Sequence, residues 1–397
     1  MQAYQALTGR WAVLALWYIV NTSLIAYYKL LERFGGASQA LLATRTAWQE
    51  LGIHTAHLNR WQDATDVLAF IDRVQKELSI NAYHLLDTSD EAYPSQLLQL
   101  YDPPPVLFYR GNVARLNDEQ IAIVGTRNPT QYAQKITFDL AQYLVQSGYT
   151  ITSGLAQGVD RQAHLGALTQ LPTLMGRTVG VMGTGIDVYY PRNHHALFAQ
   201  IIDEGGCVLT ELLPATPASK HTFPRRNRLV AGLSLATVVT EAAVQSGSLI
   251  TARLSAEQGK QVFVVPGLID NPQAQGCHHL IREGATLIYH PNHILEDIGR
   301  QIDVPKTFGF GASPDKTPSK PTQNSQATVT SSTSSVAQHK IIPKHLTAIF
   351  DVLSDTPQDL DALVAMSGMA VPTLLAGLLE LEILGVLVQI GGRYAKA

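Results

Sequence analysis

IAIVGTR at residues 121–127 and ATVVTEAAVQSGS at 236–248 share one plan: an unbroken apolar run stops at small and hydroxyl-bearing residues. Runs without polar alternation bury both faces, as the parallel strands of an α/β sheet do. Five more follow the pattern: YTIT (149–152), VGVM (179–182), CVLT (207–210), VFVV (262–265) and TLIY (286–289). The stretches between them have helical spacing. Seven buried strands joined by helical crossovers predict an extended Rossmann-like core, doubly wound on a mostly parallel sheet, over residues 86–304.

In such a sheet, ligands gather outside the carboxyl ends of the strands. Those ends lead into Gly125-Thr126-Arg127, Ser153-Gly154, Gly183-Thr184-Gly185, Glu241 followed by Ser246-Gly247-Ser248, and Pro266-Gly267. Glycine lets backbone approach a ligand closely, and helix N-termini offer free N–H groups, so these corners suit an anion. Tight strand-to-helix turns also use glycine for purely structural reasons. No corner completes GxGxxG or a Walker loop, so no dinucleotide or ATP cofactor is expected.

The segment SKHTFPRRNRLVAGLS (219–234) adds charge. Between Leu212 and Thr240 stand Lys220, Arg225, Arg226 and Arg228 and no acid, a local +4 on a chain of net charge −3. Arginine suits bidentate phosphate contacts, and Phe223 inside the run suits stacking on a base. Internal pairing of these arginines with Glu211 or Glu241 is the competing structural reading. Lys260 and Arg253 are expected to add to the same face.

The flanks read differently. Residues 1–85 carry leucines and aromatics at helical spacing with a Gly35-Gly36 break, a small helical domain for which plain helical packing is favoured over a SAM or helix-hairpin-helix-like unit. Residues 86–112, with Pro103-Pro104-Pro105, read as a connector, and 305–338, rich in Ser, Thr, Pro and Gln, as a flexible linker. Over 339–397 the order helix, helix, Gly368, helix, strand, Gly-Gly, strand spells a winged helix. Its third helix, near Val371–Leu384, has Glu380 and Glu382 but no Lys or Arg. A recognition helix needs cations against phosphates, so this domain is expected to dock protein or to stabilise.

Composition closes off other classes. Of 397 residues 46% are apolar and 15% charged, enough for more than one core. Twenty-nine Lys and Arg against 32 Asp and Glu exclude a strongly basic nucleic-acid packer. Two cysteines, Cys207 and Cys277, exclude a disulfide framework or a cysteine zinc site and read as structural. The ten-residue apolar run WAVLALWYIV (11–20) is short of the roughly 20 residues a membrane span needs. It reads as a buried helix, and the protein as cytoplasmic. No metal-spaced pair or nucleophile elbow appears, so no metal and no catalytic group is assigned. His164 reads as a packed group. Adjacent histidines at 194–195 and 278–279 point apart on a helix.

Taken in order, YPSQLLQLYDPPPVLFYRGN, IAIVGTR, TSGLAQGVDRQAH, VGVMGTGIDVYYPRNH, LTELLP, FPRRNRLVAGLS, VVTEAAVQSGSLITA, VFVVPG and QGCHHLIREGA resemble the DNA-processing protein A family (DprA, also called Smf) over about 93–290. The resemblance implies a protein of natural transformation and recombination that binds and protects incoming single-stranded DNA, helps load the RecA recombinase, and forms a homodimer through its Rossmann-like core. It implies no enzymatic activity. Carried over by position, it points to Gly125, Thr126, Arg127, Phe223, Arg225, Arg226, Asn227 and Arg228, with Ser246, Gly247 and Ser248 as the neighbouring loop. Lys220, Lys260, Ser153 and Gly154 are added from the reading of the sheet edge. Departures are Thr126 where many members have Ser, Gln157 where Arg is frequent, and His278 where Asn is common. The alternative reading is a nucleotide-binding or nucleotide-cleaving enzyme of phosphoribohydrolase type using Glu211 and Glu241.

Overall fold

The computed structural model describes residues 2–170, 176–299, 345–354, 358–369, 371–383, 386–390 and 393–396. The predicted linker at 305–338 lies outside them. The chain divides into two compact units, Met1–Ala312 and Ser313–Ala397.

The first unit is built on a nine-stranded sheet. Its strands are β1 (His84–Asp87), β2 (Val106–Gly111), β3 (Gln120–Val124), β4 (Thr150–Ser153), β5 (Thr178–Val181), β6 (Cys207–Thr210), β7 (Ala236–Val239), β8 (Gln261–Val264) and β9 (Thr286–Leu287). Spatial order is β1-β2-β6-β5-β4-β3-β7-β8-β9. All seven predicted strands are present and parallel to their neighbours among them. Each of β3 to β7 is buried along its whole length, which is why their sequences lack polar alternation.

The connector reading of 86–112 needs correction. Residues 84–87 and 106–111 form antiparallel strands that extend the sheet beyond β6, with Phe108 opposite Thr210. The prolines occupy only the crossing between them, where no N–H is required.

The direction of winding reverses at β3. From there the chain builds outward through β4, β5 and β6, then returns to pair β7 against the other side of β3, with Ile121 opposite Ala236. The carboxyl ends of β3 and β7 therefore flank a crevice between diverging crossovers.

Among the described residues six α-helices precede the sheet. Gly9–Ile19 carries the apolar run read as a buried helix, with Leu14, Leu16, Trp17 and Ile19 fully buried. Among the described residues no helix is long and apolar enough to cross a membrane. Leu24–Phe34 ends on Gly35 in the left-handed conformation (φ 78°), which explains the break after Phe34. The helices share one core with the sheet edge: Trp17, Leu30 and Val74 belong to the same cluster as Leu85, Phe108, Met182 and Phe198. Packing is thus continuous across residue 85.

The second unit has helices Thr347–Val352, Leu360–Ser367 and Val371–Ile383 and a hairpin pairing Leu387–Ile390 with Arg393–Lys396. Leu346, Ile349, Leu363, Leu374, Leu378 and Leu381 form its core. Gly368 caps the second helix at φ 62°. This is a winged helix. Its third helix exposes Val371 and Leu375, and Glu380 accepts from His345 at 3.0 Å.

Candidate nucleic-acid interface

A cavity of about 710 Å³ opens at the crevice between the β3 and β7 ends. Gly125, Thr126 and Arg127 line it from β3, Gly154 and Asp160 from beyond β4, and Ser246, Gly247 and Ser248 from beyond β7. Lys220, Phe223, Arg226 and Asn227 reach it from the β6–β7 crossover, where helix Thr222–Leu233 begins. Close approach of these segments demands small residues. A Cβ on Gly125 would lie 2.6 Å from Val159 Cγ2 and 2.7 Å from the Glu241 carbonyl oxygen. A Cβ on Gly154 would overlap both the Arg226 guanidinium and the Asp160 carboxyl.

Arg226 forms the floor. It is 8% exposed, and its Nη1 donates to the Val181 carbonyl at 2.7 Å, at the end of β5. Its Nε is buried and has no hydrogen-bond partner. Burial lowers the Arg226 pKa, opposed by the charge of Asp160. Burial raises that of Asp160, opposed by Arg226 and by the Ala156 N–H that donates to its Oδ2 at 3.3 Å. The two groups compensate each other, and an incoming anion meets a fixed guanidinium.

The walls supply charge and an aromatic face. Arg127 and Lys220 are exposed. The Arg127 guanidinium lies 5.7 Å from the centroid of the Phe223 ring, a cation–π distance. Phe223 also meets Tyr190 at 5.3 Å between centroids. Across the cavity, Asn227 Nδ2 donates to the Gly247 carbonyl at 3.2 Å, and the hydroxyls of Ser246 and Ser248 pair at 2.6 Å where helix Ser248–Glu257 begins. Thr126 takes a place in the wall through its N–H, which donates to Glu241 O at 2.7 Å.

Five residues expected at the site lie elsewhere. Arg225 Nε donates to Glu211 Oε1 at 2.9 Å, and Arg228 Nη2 pairs with Glu211 Oε2. On a helix, positions 225 and 228 share one face and 226 points away from it, so the arginine run is split between two sides. Lys260 does not line the cavity; its Nζ donates to the Ala231 and Gly232 carbonyls at the end of helix Thr222–Leu233. Ser153 is buried in β4 and its hydroxyl donates to the Ile123 carbonyl at 2.6 Å. Arg253, also expected on this face, is exposed but not among the lining residues.

Tyr190 joins the cavity without having been singled out. It follows the Gly183-Thr184-Gly185 corner of β5, and the carboxyl-end rule applied to the whole turn would have included it. Asp160 also lines the cavity, a position to which the sequence reading gave no role.

The carboxylates of the alternative reading are both engaged. Glu241 accepts from Thr130 N–H at 2.8 Å, Thr130 Oγ1 at 2.9 Å and Asn271 Nδ2 at 3.1 Å. Glu211 is held by the two arginines. His164 is fully buried against Thr178 Oγ1 at 2.7 Å, and burial pulls its pKa down to about 3, which keeps the ring neutral. Cys207 and Cys277 are buried thiols, and burial pushes Cys277 up to about 12.

Comparison with known proteins accords with this architecture. Residues 84–299 match the family model of DNA recombination-mediator protein A, and residues 343–393 match that of the DprA winged helix domain. The chain is 36% identical over 314 residues to Protein Smf of Escherichia coli, covering 79% of this chain and 77% of that one. It is 40% identical over 208 residues to the DNA processing protein DprA of Streptococcus pneumoniae, covering 52% and 72% respectively. The X-ray structure of DprA from Streptococcus pneumoniae superposes with a TM-score of 0.62 at 31% identity, covering 73% of this chain and 98% of that one. With a family model covering more than half its length and relatives aligned over most of it, the chain belongs to the DprA/Smf family of DNA-processing proteins.

Proposed function

We propose that the cavity binds single-stranded DNA and that the protein receives and shields incoming strands during natural transformation. The observation that carries this reading is the convergence of Arg127, Lys220, Arg226 and the Phe223 ring on one cavity at the carboxyl ends of β3 and β7. Phosphates take the cations; an unpaired base takes the aromatic face. A duplex hides its base faces, so single strands are preferred. Stacking and phosphate contacts carry little sequence information, so sequence preference is slight. Family membership supports extending the role to loading of the RecA recombinase, to a homodimer that joins two cavities on one strand, and to the cytoplasm as its place of action. Two linked cavities raise avidity without new contacts.

The test is a mobility-shift series with single-stranded and duplex oligonucleotides at two salt concentrations. Single strands bind more tightly, and log affinity falls with log salt by about 0.7 per phosphate contacted. Equal affinity for duplex, or indifference to salt, refutes the reading. Incubation with nucleoside monophosphates tests the enzymatic alternative, and release of free base would favour it.

A further inference from the structure

We propose that Glu211, which does not line the cavity, is a positioning residue for it and fixes the rotation of helix Thr222–Leu233; this rests on the reading of the cavity as a DNA site. Glu211 follows β6 directly and is 2% exposed. Its two carboxylate oxygens take Arg225 Nε and Arg228 Nη2, one each. The helix therefore has two working faces. Phe223, Arg226, Asn227 and Val230 turn to the cavity, while Arg225 and Arg228 are anchored behind it. A helix tethered at two points one turn apart cannot roll, and rolling is the motion that would carry Arg226 and Phe223 out of register with each other.

The anchor extends into the N-terminal helices. Trp17 Nε1 donates to the Glu211 carbonyl at 3.0 Å, and the Trp17 ring lies 5.5 Å from the Arg225 guanidinium. Arg225 Nη1 also donates to Thr22 Oγ1 at 3.0 Å. Arg228 Nη1 donates to the Asp102 carbonyl at 2.9 Å, in the crossing between β1 and β2. Three separate parts of the chain thus meet on two arginines that never face the cavity.

Charge and position make opposite predictions, which makes the idea testable. Glu211→Gln removes a negative charge near a polyanion site. If only the electrostatic field mattered, affinity for single strands would rise. If Glu211 positions the helix, affinity falls.

The experiment is fluorescence-anisotropy titration of the full-length protein with a labelled single-stranded oligonucleotide across a salt series, alongside thermal melting. We expect Glu211→Gln to weaken binding about five-fold or more. The salt slope should be unchanged, since no phosphate contact is removed. Glu211→Asp should recover part of the loss. Should Glu211→Gln lose its cooperative melt, the double variant Arg225→Lys, Arg228→Lys decides, because it keeps both charges and loses the forked geometry; weaker binding at the parental slope is again expected. Parental or tighter binding by whichever folded variant decides overturns the positioning role alone. Failure of the parent chain to bind at all overturns the DNA reading and this inference with it.

Discussion

The Arg226 guanidinium and the Asp160 carboxyl both lie against Gly154 at the cavity, and each charge opposes the effect of burial on the other. The charge of Asp160 opposes the lowering of the Arg226 pKa by burial.

Replacing Arg226 by Ala should cut affinity for single-stranded DNA at least ten-fold and flatten the salt dependence by about 0.7 for one lost phosphate contact. The Asp160 carboxylate is then left buried without its counter-charge, so stability should fall as well, by roughly 3 kcal/mol or less after protonation relieves it. Anisotropy titration and calorimetry separate the two effects. Binding with parental affinity and slope would remove Arg226 from the interface.

Phe223→Ala tests the aromatic face. Loss of one stacked base costs about 1–3 kcal/mol, or roughly 5- to 140-fold in affinity. The salt slope should stay as it was, because no cation is lost. Phe223→Trp should bind near the parental level. An alanine variant indistinguishable from the parent would mean that no base stacks there.

Gly154→Ala places a methyl group where the Arg226 guanidinium and the Asp160 carboxyl now lie. Both must shift, at a cost of about 1–3 kcal/mol in stability. Binding should fall more than Tm alone would suggest, since the displaced groups are those of the site. Unchanged binding would show that the floor tolerates a wider opening.

His164 gives a pH signature. Its pKa is pulled from 6.5 to about 3 in the folded protein, so the unfolded chain takes up a proton before the folded one does. Stability contributed by the neutral ring is complete above about 6.5 and is lost as pH falls towards 3. Denaturant titrations of parent and His164→Gln should therefore diverge in slope against pH across that window, the variant being the less acid-sensitive. Parallel curves would contradict the assignment.

What the sequence disclosed follows from which forces are local. The seven core strands were legible because burial on both faces leaves uninterrupted apolar runs such as IAIV and VFVV. Strands β1 and β2 were not, because Pro103-Pro104-Pro105 dominates the stretch between them and drew the adjacent apolar run VLFY (106–109) into a connector reading. The position of the cavity was legible from the carboxyl-end rule, and Gly125, Phe223, Arg226 and Ser246 all line it. The division of labour among Arg225, Arg226 and Arg228 was not. It depends on Glu211, which is 14 residues from Arg225 along the chain and reaches it only through the fold. Lys260 misled for a similar reason: a cation beside the end of a helix finds that helix's carbonyls first.

The common core of the leading helices and the sheet edge has a practical consequence for genetics. A chain shortened to begin near Tyr83 would leave Leu85, Phe108 and Phe198 facing water as a greasy flank beside an open strand. Such a deletion would report clumping and proteolysis in the cell, whatever those helices do for DNA, so their contribution is better dissected by point changes than by trimming.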